Sequence, residues 1–160
     1  MTFCIEGKVC LLGRVVAGRF ESSGAGDVVA EVWESLPSRF SGLACDTLGV
    51  MPNHVHAIMR LDVSLGLDDD ALRGPEEARR ATLGEIVGAW KSLTTLAYGK
   101  GVREAGWPPF RGRLWQRSYF DHVIRDEASF AAIRAYIQTN PARWGRDPEN
   151  PARGSERDPW

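Results

Sequence analysis

Two histidines in the stretch "VMPNHVHAIMRL", which begins at Val50, have the types and spacing to do chemistry. In an extended strand, residues i and i+2 share a face with their Cα atoms ~6.6 Å apart. His54 and His56 can therefore converge on one ion or one anionic group. Neutral imidazole suits Mn, Zn or Fe, whereas Mg prefers oxygen. Two ligands do not hold a metal, so a site here needs further donors from elsewhere in the chain. A bare H-x-H is equally the pattern of two surface histidines on an edge strand, or of one structural histidine. Tyr136 and Asn140, in "DEASFAAIRAYIQTN", are i and i+4. On a helix they lie one turn apart on one side, placing a phenol beside an amide oxygen. Beside Ile133 and Ile137, Tyr136 also fits a half-buried packing position, and Asn140 before Pro141 fits a helix C-terminus. Tyr119 in "YFDHVI" is the rival phenol. Strand alternation puts Tyr119 and Asp121 on one face and Phe120 and His122 on the other, leaving His122 as a structural group or a nucleic-acid contact.

These side chains need a scaffold, and the hydrophobic pattern supplies one. Residues 3–20 read as short strands separated by glycines. From Ser22 to Phe40, the apolar residues Val28, Val29, Val32, Trp33 and Leu36 recur at helical spacing until Pro37 ends the run. Leu43–Leu48 and Val50–Leu61 read as strands joined in a hairpin. Residues 62–80 are polar, acidic and broken by Gly and Pro, which reads as a mobile loop. Thr82–Tyr98 is expected to be a helix, with Thr82 as its cap and Glu85 three residues on. Residues 99–113 read as loop, Leu114–Ile124 as a strand, and Asp126–Asn140 as a helix stopped by Pro141. The order β(β)–α–β–β–α–β–α suggests an α+β fold, a ferredoxin-like sandwich. Its antiparallel sheet would carry helices on one face, with a C-terminal helix bearing Tyr136. Residues 1–144 make one domain. Residues 145–160 form a charged, Pro-rich tail, disordered or only docked.

At 160 residues the chain is long enough for a real core, and its 43% hydrophobic content is that of an ordinary water-soluble domain. It lacks an apolar run of the ~18 residues a membrane span needs, and its start does not resemble a signal peptide. Three cysteines without C-x-x-C spacing point to free thiols in a reducing, cytoplasmic compartment. The net charge of −1 is uninformative as a total. Between Lys100 and Arg125, however, six basic residues face two acidic ones, with Trp107, Phe110, Trp115, Tyr119 and Phe120 interleaved. Cations for phosphates and flat rings for bases are what a single-strand binding surface needs, although a solvated face over core aromatics gives the same composition.

The fuller motif, V-M-P-N-H-V-H, resembles the histidine–hydrophobic–histidine (HUH) signature of enzymes that cut single-stranded DNA with a tyrosine. The block "LWQRSYFDHVIRDEASFAAIRAYIQTNP", Leu114 to Pro141, resembles a second block of the IS200-type and REP-associated tyrosine transposases: W-Q-R/K, an aromatic pair, D-H-x-I-R, and a helix ending Y-I-x-x-N-P. The two blocks stand in the family's order, and the likeness covers most of residues 3–144. It implies Tyr136 as nucleophile, with His54, His56 and Asn140 as ligands of Mg2+ or Mn2+. It also implies a 5′-phosphotyrosine intermediate on single-stranded or hairpin DNA, a nucleoid-associated location, and either a monomer or a homodimer. Arg117, Arg125, Arg134, Lys91 and Trp115 are candidate DNA contacts, with Trp115 equally a core residue. The acidic run Asp68–Asp70 would repel DNA and is expected away from the channel. Two other classes fit the same residues: a domesticated DNA-binding relative without cleavage, and a small metal-dependent hydrolase with no covalent step.

Overall fold

Helix α1 (Gly24–Ser35) begins where Ser23 caps it, its hydroxyl accepting from the Gly26 N–H at 3.3 Å. Ala25, Val29, Trp33 and the following Leu36 then turn one stripe inward. The computed structural model describes residues 1–61 and 81–154. The acidic loop expected over 62–80, with Asp68–Asp70, and the last six residues of the tail lie outside the described residues.

Strands β1 (Thr2–Cys4), β4 (Leu43–Val50) and β5 (His54–Leu61) form an antiparallel sheet in the order β1-β5-β4. The pair β2 (Gly13–Val16) and β3 (Arg19–Ser22) makes a separate hairpin. Its two-residue turn has Ala17 and Gly18 at φ 49° and 76°, the positive values that match the strands' twist. The β4–β5 hairpin is the expected one, with a register irregularity between Cys45 and Thr47. Helix α2 (Leu83–Glu104) carries the expected capping box between Thr82 and Glu85. It continues six residues past Tyr98, where the sequence suggests loop. Gly101 does not end it, because a Cβ there would collide with the Trp107 ring packed onto the helix. Glycine here serves close approach rather than termination.

Among the described residues the fold is α+β, an antiparallel sheet with three α-helices. Val55 and Ala57 on one sheet face join Phe3 with Val29, Trp33, Ile86, Val87 and Trp90 from α1 and α2 in the core. Helix α3 (Glu127–Thr139), capped by Asp126, packs on the opposite face. Segment 114–124 departs from the expected strand. It runs beside β1 but makes only two bridges, Thr2 with Phe120 and Ile5 with Trp115. The carbonyls of Gln116 and Arg117, between those bridges, accept instead from the Lys91 ammonium, at 2.7 and 3.2 Å. Among the described residues, no helix is long and apolar enough to cross a membrane.

Candidate active site

Register decides what faces what. Thr2 pairs with His56 and Cys4 with His54 across β1–β5, and Gly49 pairs with His56 across β4–β5. Paired residues point the same way, so both imidazoles share the α3 face of the sheet. Gly49 lets α3 come close: a Cβ there would lie 2.5 Å from Ile137 Cγ2. Tyr136, one residue earlier, is thereby set over the sheet. Its ring meets His56 edge-to-face at 5.5 Å between centroids and stays 42% exposed.

His54 is fully buried. Its Nδ1 lies 3.0 Å from Asn53 Oδ1. The Asn53 amide nitrogen already donates to the Lys8 and Glu149 carbonyls at 2.9 and 2.7 Å, so Oδ1 accepts and His54 Nδ1 carries the proton. That tautomer leaves His54 Nε2 as a lone pair. His56 Nδ1 sits 2.9 Å from the Thr2 hydroxyl, which can donate or accept and so permits either tautomer. The two Nε2 atoms are 3.2 Å apart. Asp147 Oδ2, itself buried, lies 3.7 Å from His54 Nε2. Burial lowers the His54 pKa against the pull of Asp147. Burial, then the charge of His54, lowers that of His56 to about 3. Both rings are neutral near pH 7. The His54–Asp147 approach is then no ion pair, and 3.7 Å is too long for a hydrogen bond.

Three donors from His54, His56 and Asp147 thus lie within 4.8 Å of one another. Donors bound at about 2.1 Å and subtending 90–109° stand roughly 3.0–3.4 Å apart, and the 3.2 Å between the imidazoles falls in that interval. The 3.7 Å from Asp147 Oδ2 to His54 Nε2 is longer than that interval, so this group could hold a metal ion with the carboxylate drawn in.

Asn140 caps α3, is buried, and its Nδ2 finds no partner among the described residues. Burial and Asp147 raise the Tyr136 pKa while Arg143 lowers it, so the phenol is protonated at neutral pH. Tyr119 packs on Phe3, which points from β1 into the helical side of the sheet, away from the histidines. His122, Arg117 and Arg125 are exposed, and His122 and Arg125 line a groove of about 880 Å³. Arg134 pairs with Asp46 at 3.5 Å and lies over Phe130.

Two of the candidate DNA contacts have packing roles in the fold. Trp115 is 4% exposed, donates to Thr94 Oγ1 at 2.8 Å and packs on Trp90, so it is a core residue with no face for a base. Lys91 is engaged by two backbone carbonyls and lies near the Phe3 and Tyr119 rings, so it fastens segment 114–124 to α2.

Sequence reasoning missed Asp147, Asn53 and Thr2. Asn53 stands directly before the histidine pair, and its neighbourhood was a usable signal. Asp147 sits in a tail whose charge and prolines read as disordered or only docked chain, and no local pattern distinguishes it.

No family model matches the chain. A search of curated proteins found it 31% identical over 153 residues to an uncharacterized protein of Haemophilus influenzae, covering 92% of this chain and 81% of that one. The chain belongs to the same family as that protein.

Proposed function

We propose that this protein is a single-stranded DNA transposase or endonuclease that cuts and rejoins DNA through a 5′-phosphotyrosine on Tyr136. The observation that carries the reading is an exposed phenol packed edge-on against His56, whose Nε2 lies 3.2 Å from that of His54. The two motif blocks that resemble the tyrosine transposases support it from the sequence side.

In the chemistry proposed, Tyr136 Oη bonds to phosphorus and the P–O3′ bond breaks. The phenol gives up its proton, and the departing O3′ takes one up to leave a 3′-OH. One phosphoester replaces another, so a later 3′-OH can reverse the step on a different strand without a nucleotide cofactor. That reversibility is the reason for a covalent tyrosine rather than water. A protonated phenol is a poor nucleophile. A bound Mg2+ or Mn2+ supplies positive charge that polarises the phosphate and offsets the Asp147 carboxylate. His54 and His56 would present neutral nitrogens to it, with Asn140 the helix-borne candidate. Arg143, whose charge acts on Tyr136, and the exposed Arg117 and Arg125 are the candidates for holding phosphates.

The test is incubation with labelled single-stranded DNA and Mn2+ or Mg2+, followed by a denaturing gel. The protein should yield a covalent protein–DNA band that Tyr136→Phe abolishes while retaining DNA binding. A domesticated binder gives no adduct in either form. A hydrolase cuts DNA or another ester almost equally well in both.

A further inference from the structure

Among the described residues, the carboxylate grouped with the histidines does not come from α3. It comes from the segment after it. A 3-10 turn, Asn140–Arg146, carries the chain back over the sheet, and Asp147 follows with its side chain 5% exposed. Three contacts fasten this segment to the rest of the fold: Asn53 Nδ2 to the Glu149 carbonyl at 2.7 Å, Lys8 to Glu149 at 3.2 Å, and Lys8 Nζ to the Pro148 carbonyl at 3.5 Å; within it the Asn150 amide donates to the Trp144 carbonyl at 2.9 Å. The Asp147 backbone N–H donates to Trp144 O at 3.1 Å, and its Oδ1 accepts from the Glu149 N–H at 2.8 Å. Its Oδ2 faces His54 Nε2 at 3.7 Å, and the two imidazole Nε2 atoms lie 3.2 Å apart. A buried carboxylate converging with two buried imidazole nitrogens is the donor arrangement of a cation site. Asn53 joins the two halves: one side chain sets the His54 tautomer and grips the segment that delivers Asp147.

We propose that Asp147 is the third protein ligand of a divalent-metal site with His54 and His56, and that Asn53 is the positioning residue coupling the docked 140–150 segment to that site. This rests on the divalent-metal part of the reading above. It names a ligand on a different element from Asn140. Two nitrogens and one carboxylate favour Mn2+ over the oxygen-seeking Mg2+.

The probe is Mn2+ alone, titrated into the full chain by calorimetry, without DNA. Asp147→Asn, which keeps shape and removes charge, should weaken Mn2+ binding more than about tenfold. Asn53→Ala should weaken it by about 10- to 100-fold, as loss of a partner that orients a ligand does. Mn2+ should also slow tryptic cleavage after Arg143 and Arg146 in the native chain and fail to do so in Asp147→Asn. Unchanged Mn2+ affinity in Asp147→Asn overturns the proposal, as does loss of binding confined to Asn140→Ala. Native chain that binds no Mn2+, or gains no protease protection from it, overturns it too; this arm holds even if a variant misfolds. The nuclease reading fails separately. If Mn2+ binding depends on Asp147 but no tyrosine-linked DNA forms, the metal site stands and the transposase does not.

Discussion

Replacing Gly49 by alanine should move the candidate nucleophile without substituting any residue of the site. The new Cβ would stand 2.5 Å from Ile137 Cγ2 and 3.5 Å from the Ile137 carbonyl, where ordinary contact is 3.4–4 Å. Relief requires about 1 Å of separation between α3 and β4, because the core-like packing leaves no void to absorb a methyl. Overpacking of this kind costs typically 1–3 kcal/mol. In a chain of this size each kcal/mol lowers Tm by about 2–4 °C. Tyr136 precedes Ile137 and rides with it, so its ring should leave His56. The chain has only three histidines, and His122 is exposed and outside this contact, so proton NMR of the rings reads the displacement directly. The His56 resonances should shift while those of His122 stay. If Tyr136 is the nucleophile, covalent adduct yield should fall by roughly 10²-fold, the usual consequence of a 1 Å misplacement. Adding Ile137→Ala removes the colliding methyl and should recover part of both signals. A Gly49→Ala protein with native Tm and native His56 resonances would refute the close approach of α3 on which the site geometry depends.

Thr82→Ala removes the capping box at the start of α2 and should cost about 1 kcal/mol, measured by urea denaturation, with the core helix otherwise intact. Burial pushes the Cys4 and Cys45 thiols up to about 11, the Cys10 thiol is also raised, and only Cys10 is exposed. At pH 8, a rise from 9 to 11 lowers the thiolate fraction about 100-fold. Iodoacetamide followed by mass spectrometry should therefore label Cys10 first and the other two only after unfolding or at much higher pH. Lys91→Met should free the Gln116 and Arg117 carbonyls and raise amide exchange across 114–120. Single-stranded DNA binding should fall little beyond what that loosening causes, whereas a large loss with unchanged exchange would restore Lys91 as a DNA contact.

The sequence by itself determined what local chemistry determines. The α1 and α2 starts at Ser23 and Thr82, the β4–β5 hairpin, and the α3 start at Asp126 follow from caps and periodicity that each segment carries alone. The shared face of His54 and His56 follows likewise from a strand's two-residue repeat, and the shared side of Tyr136 and Asn140 from the helix repeat. Tertiary structure decided everything that depends on which surfaces meet. The rings of Trp115 and Trp107, legible only as aromatics in a basic stretch, belong to the core and to the face of α2. Segment 114–124 alternates like a strand yet gives two of its carbonyls to a lysine from α2. Asp147, in chain that reads as a disordered or merely docked tail, comes within 3.7 Å of His54 because Asn53, 94 positions earlier, grips the backbone two residues beyond it. A carboxylate's burial depends on partners far along the chain, and no window around residue 147 contains them.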